Sequence, residues 1–301
     1  MKISIRGSLI GFIATSLLTG CTQLDGLPYS PIQTAETWLA IQPWVELRIL
    51  GRSLILVQPS TSAIVYLLGL VTIVAGFYIL RHHEDQRSRL WWGIALLLWG
   101  LGALLAGTSY EAFSYQIKCL GRETCVWTSG WEIWYLLFSV ASVNAMMIAQ
   151  AYSCTTGKWR KYLLLYALLN MSLYAITVLT GTLVPVKFQI SFELLILFAA
   201  PSIVIFLLLN GWRYYKLRQR SDLLLLVTWA WLTLTIGAYF LYYLFGLTQK
   251  LWVKGIWFSE NDVLHISLII WMIYIAWMVA PKIEDLPDIH EIRYNPIELK
   301  I

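Results

Sequence analysis

Five ionisable side chains stand where long apolar runs begin or end: Glu111, Glu132, Glu193, Asp262 and His265. Such groups are expensive at membrane depth and tend to face a bundle interior, where a carboxylate can serve as acid or base and an imidazole as ligand or proton shuttle. Their neighbours follow helical spacing. Glu132, Tyr135, Ser139 and Ser142 recur every three or four residues and share one helix face, as do Thr235, Tyr239 and Tyr242. Asn261 and Asp262 lie four and three residues before His265, close enough to converge with it on one ligand, and Ser109 and Ser114 flank Glu111. Each residue taken singly also suits the headgroup boundary. Together they predict a polar pocket with Glu111, Glu132 and His265 as the candidate reactive groups.

The elements that must position these residues are membrane spans. The 301 residues are 58% hydrophobic and 13% charged, about half the charge of a soluble domain, and mean hydropathy is +0.65. Apolar runs of the length needed to cross roughly 30 Å of hydrocarbon fall at 61–80, 90–110, 131–152, 162–183, 190–212, 223–246 and 262–280. The expected fold is therefore an all-α, polytopic seven-helix bundle over 61–280, with a tail at 281–301. Gly93, Gly100 and Gly107 allow close packing of the second span, Pro201 should kink the fifth, and Ser221-Asp222 is a plausible cap for the sixth. Sixteen Trp and 17 Tyr suit aromatic belts at the two interfaces. No inverted repeat or pair of broken helices points to a transporter.

Orientation follows from Lys and Arg. Loops holding Arg81, Arg87 and Arg89, then Lys158, Arg160 and Lys161, then Arg213 to Arg220, then Lys282, Arg293 and Lys300 carry thirteen of them, against seven in the alternate connections. The richer set belongs in the cytoplasm, which puts the tail inside and residues 22–60 outside, in a bacterial inner membrane. The net charge of +5 is thus a topology signal, with no nucleic-acid motif behind it. Cys119 and Cys125 fall in an oxidising outer loop and are expected to form a disulfide, whereas Cys154 is a free thiol on the reducing side. Residues 1–21 read as a lipoprotein-type signal: Lys2 and Arg6, an apolar stretch from Leu9 to Leu18, then Leu18-Thr19-Gly20-Cys21. Either Cys21 is lipidated or the segment stays as an uncleaved anchor. Residues 22–60, with Trp38, Ile41, Trp44, Val45 and Leu47 at roughly helical spacing, read as an amphipathic piece on the outer leaflet, with a small extracytoplasmic cap as the alternative. His82 and His83 beside Glu84 and Asp85 read as a solvated turn, and His290 as a solvated tail residue.

The arrangement resembles the superfamily of seven-helix membrane hydrolases that includes alkaline ceramidases and adiponectin-type receptors. The stretches that carry the likeness are Gly107-Thr-Ser-Tyr-Glu-Ala-Phe-Ser114, Trp131-Glu132 and Asn261-Asp-Val-Leu-His265. The resemblance implies a zinc ion held at the outer helix ends, with His265 matching a ligand. Asn261 stands where the other His of the seventh-helix pair would be, and Phe113 or Ser114 where the second-helix His would be. Zinc is not favoured on this incomplete set, since it needs about three good protein ligands. Retinal is excluded because no Lys lies between Lys254 and Lys282 to form a Schiff base. A non-enzymatic role in lipid or ion binding, sensing or a membrane complex therefore ranks ahead of a lipid hydrolase, with membrane lipid and other membrane proteins as the expected partners.

Overall fold

The computed structural model describes residues 23–49 and 51–287. Cys21, the signal-like segment and His290 lie outside the described residues.

A short helix α1 (Ala35–Ala40) and an antiparallel hairpin of β1 (Trp44–Ile49) and β2 (Arg52–Val57) precede the bundle. The segment from 23 to 57 is thus a small cap, and the amphipathic helix expected there is confined to α1. Helical spacing gives way after Pro43 to strict alternation, with Val45 and Leu47 half-buried and Trp44, Glu46 and Arg48 exposed. The register pairs Ile49 with Arg52, and Gly51 before the second strand sits at φ +76°, a conformation that favours glycine. Thr34 caps α1 through a reciprocal exchange with Thr37.

Among the described residues seven helices are long and apolar enough to cross a membrane: α2 (Pro59–Arg81), α3 (Arg87–Ala112), α5 (Gly130–Cys154), α6 (Gly157–Leu183), α7 (Phe192–Leu217), α8 (Arg220–Leu244) and α10 (Glu260–Lys282). Two short helices sit at the cap end, α4 (Ser114–Lys118) after α3 and α9 (Leu247–Trp252) after α8. Helix α7 runs through Pro201 without a break in its assignment. Helix α8 starts at Arg220, so Ser221-Asp222 lies inside its first turn and does not cap it.

Packing closes α2, α3, α5, α7, α8 and α10 into a ring, with α6 laid against α5. Helix α5 is the most enclosed, 67% of its apolar stretch being buried against 17% for α6. Glycines set the tightest contact in the ring. A Cβ on Gly100 would come within 2.9 Å of the Gly69 carbonyl, and one on Gly93 within 3.1 Å of the Gly76 carbonyl, so the backbones of α2 and α3 meet directly.

Away from the cap the ring is filled by aromatic side chains from α3, α7, α8 and α10. Trp229 stacks on Phe206 at 4.1 Å and on Trp92 at 5.8 Å, and Trp271 packs edge-on against Trp229 while donating its indole N–H to the Thr228 carbonyl at 2.8 Å. Dispersion and ring-edge contacts replace water there. Buried polar side chains lie on both sides of this layer, Glu111, Lys118 and Glu132 at the cap end and Gln150, Asn210, Arg213 and Asp222 toward the other.

Candidate functional site

The last turn of α3 is a π turn over Gly107–Ala112, in which Phe113 N–H bonds to the Thr108 carbonyl five residues back. Such widened turns are frequent at functional sites. Ser109 and Glu111, two residues apart, are both buried here, whereas Tyr110 between them is partly exposed. Gly107 is needed at the start of the turn, because a Cβ there would lie 2.3 Å from a methyl of Val65.

Glu132, in the first turn of α5, is the centre of the site. Its Oε1 accepts from Lys118 Nζ and from Ser109 Oγ, each at 2.6 Å, and both members of the ion pair are about 1–2% exposed. Having given its one proton to Glu132, Ser109 accepts from Ser129 at 2.7 Å. The Lys118 ammonium also donates to the Tyr29 hydroxyl at 3.1 Å and lies over the rings of Tyr110, Tyr29 and Trp38 at 4.8, 5.7 and 5.9 Å. It is a cation in a cage of one carboxylate and three aromatic faces.

The cap holds that cage shut. Cys119 and Cys125 form the disulfide expected from the sequence, both buried and packed under Trp38. Val126 N–H bonds to the Lys118 carbonyl, Cys125 N–H to Gln33 and Trp127 N–H to Leu27, so the loop is stitched to the segment before α1. Gln116 ties α4 to β2 through the Ile55 carbonyl at 2.8 Å.

Glu111 is 4% exposed; its Oε1 accepts from the Asn261 amide at 3.3 Å, and its Oε2 has no hydrogen-bond partner. Tyr135 packs edge-on against Tyr110 at 5.9 Å, and Glu111 lies within electrostatic reach of Tyr135 and Tyr239. Ser114 closes the turn by donating to the Glu111 carbonyl at 2.9 Å.

Other expected members are placed elsewhere. Glu193 is exposed on the first turn of α7, the ordinary setting for a helix-end carboxylate. Tyr242 donates to the Phe258 carbonyl at 3.2 Å in the connection before α10. Asp262 faces the start of its own helix, in a capping box with Ser259 that also joins Thr61 of α2. His265 lies a turn deeper along α10, with Nδ1 unpartnered and no hydrogen bond to Glu111 or Glu132. Ser142 bonds to the Ala95 carbonyl at 2.7 Å, which makes the lower part of the α5 polar stripe a helix–helix contact. His82 and His83 bond to carbonyls one turn back, and Glu84 pairs with Arg89 at 2.5 Å.

Lys118 is the site residue that the sequence does not single out, since it counts there only as one of the seven basic residues of the outer connections. Its one clue is the adjoining Cys119, since a basic residue beside a buried disulfide is carried inward with it.

The residues present do not fit the zinc centre that the hydrolase resemblance implies. Among the described residues no three His, Cys, Asp or Glu side chains come together as a ligand group. Asn261 and Ser114, at the positions of the family's other ligands, are engaged with Glu111.

Comparison with known proteins gives one relation. The family of unknown function DUF6962 matches residues 60–283. The chain belongs to that family. The match takes in all seven long helices and the loop that bears Lys118 and the disulfide, and it leaves out α1 and the hairpin. No curated protein and no solved structure matches the chain.

Proposed function

We propose that this is a non-enzymatic protein of the bacterial inner membrane whose capped polar chamber, at the ends of α3, α5 and α10, binds a lipid or an ion in a sensing or complex-subunit role. The observation that carries the reading is the contrast between two neighbouring carboxylates. Glu132 is engaged at Oε1 by both Lys118 and Ser109, a structural use, while Glu111 keeps a buried oxygen without a partner. A buried polar atom left open in this way has room for a bound water, ion or ligand atom as its partner.

Ligand-dependent stability tests the proposal. Protein in nanodiscs of phosphatidylethanolamine, phosphatidylglycerol or phosphatidylcholine, each in sodium, potassium or choline chloride, should melt higher with one lipid or one cation, and Glu111→Gln should remove the difference. A ligand at a hundred times its Kd adds about 2.7 kcal/mol. Identical melting in every lipid and salt for both proteins would overturn it.

Topology is part of the same reading. The thirteen-to-seven charge asymmetry supports a cap outside and a C-terminus in the cytoplasm. A reporter fused after Arg220 should be active only if it works in the cytoplasm, and one inserted between Gly121 and Arg122 only if it works outside. The reverse pattern would place the chamber on the cytoplasmic face.

A second reading, lipid hydrolysis, is favoured by one contact, the 2.6 Å bond from Ser109 Oγ to Glu132, which is the geometry of a hydroxyl beside a base. Covalent labelling of Ser109 by a fluorophosphonate would establish it in place of the binding role. Lys118 argues against it, because a carboxylate neutralised by a buried ammonium is a poor base.

A further inference from the structure

The chamber's charges do not balance. Glu111 is reached by the charges of Lys118 from α4, Glu132 from α5 and Asp262 from α10. The groups facing it from the other elements are the neutral hydroxyls of Tyr135 on α5 and Tyr239 on α8, with Tyr110 on its own turn. His265, deeper on α10, makes no hydrogen bond to it. Among the described residues Lys118 is therefore the cation brought to the carboxylates, and its ammonium is 2.6 Å from Glu132. Asp262 is held by its helix cap. An ionised Glu111 would leave a second negative charge in a closed, low-dielectric space, which is costly unless something neutralises it.

Glu111 is also shaped to receive a ligand. Oε1 is fixed by the Asn261 amide, so Oε2 is held in one direction with no protein donor in front of it. We propose that Glu111 Oε2 is the binding site of a single monocation, a proton exchangeable for an alkali-metal ion, that compensates the charge of Glu111. No bond other than O–H is made or broken: uptake of the ion releases the proton to solvent, and release of the ion takes it back. Asn261 orients the carboxylate, and Lys118 sets the charge count at one.

This deepens the chamber reading and rests on it. Infrared difference spectra of wild-type protein minus Glu111→Gln, in nanodiscs in choline chloride at neutral pH, test it directly. A carboxylic-acid C=O stretch present in the wild type, shifted in Glu111→Asp as a control that keeps the carboxyl group, would establish the proton as the resident cation. Loss of that band at fixed pH on adding sodium or potassium, with one proton released per protein, would establish the exchange. Absence of the band in choline chloride would mean that Glu111 stays ionised with no alkali ion to compensate it, and would overturn the proposal. A surviving dependence on lipid would then show that the chamber binds a lipid while Glu111 is neutralised by the protein.

Discussion

Replacing Lys118 with Met should destabilise the protein by about 3–5 kcal/mol, the usual cost of leaving a buried charge without its partner. Met keeps the length and apolar stem, so the cage of Tyr29, Trp38 and Tyr110 stays filled while Glu132 loses its ammonium. The double variant Lys118→Met/Glu132→Gln should recover most of the loss, because a neutral amide can still accept from Ser109. Reversible unfolding in lipid–detergent mixtures measures both. A single variant within about 0.5 kcal/mol of wild type would mean that the pair is exchanged for water at little cost, as at a protein surface.

The pH dependence of this contribution has a definite sign. Lys118 lies outside the spanning segments. Burial works against its charged form, but the charge of Glu132 and the bonds to Glu132 and Tyr29 outweigh burial and hold it above the ordinary lysine range. A group raised in the folded state gives stability that is complete below its unfolded value and is lost as pH rises through the folded one. The gap between wild type and Lys118→Met should therefore stay level through neutral pH and narrow only in strongly alkaline solution. Tyr29, raised by its own burial, stays a neutral donor and acceptor over the same range.

The spans were legible because a hydrocarbon solvent leaves a twenty-residue signature that no local detail can hide: all seven helices lie within a few residues of the hydropathy runs. The Cys119–Cys125 bond was legible because both partners sit in one short loop. What could not be read was anything decided by the cap. Lys118 carries the same sequence signal as Arg122 four residues on, yet one is buried and the other reaches Asp25 at the surface. The difference lies in the stitching of 119–129 to the segment before α1, a long-range pairing. Glu193, Glu132 and Asp262 likewise look alike as carboxylates in the first turn of a helix. Only the π turn of α3, which aims Ser109 inward, and the box at Ser259 separate an exposed residue, a site residue and a cap. The hairpin was masked for a related reason: five apolar residues near helical spacing hid the alternation of Val45 and Leu47 with charged neighbours, which Pro43 could have flagged.

At the opposite end of the bundle a second buried pair should prove as sensitive as the first. Arg213, near the C-terminal end of α7, donates from Nε to Asp222 Oδ1 at 2.7 Å and from Nη1 to the Cys154 carbonyl at 2.9 Å, with the two charged side chains 8% and 1% exposed. The guanidinium thus closes the C-terminal end of α5, where the last carbonyls lack helical partners, and joins it to the first turn of α8. Arg213→Met should cost about 3–5 kcal/mol by the same burial of an unpaired carboxylate. Here Asp222→Asn should rescue only part of the loss, since no substitution at 222 restores a donor to the Cys154 carbonyl. Arg213→Lys should also remain impaired, because one ammonium cannot reproduce the fork that serves two acceptors in different directions. The free, buried thiol of Cys154 supplies a local readout: its sulfur lies 3.5 Å from Asn210 Oδ1, and opening the α5–α7 contact should make it reactive to maleimide under native conditions. Full protection of Cys154 in Arg213→Met, with unchanged unfolding, would show that the three helix ends are held by apolar packing alone.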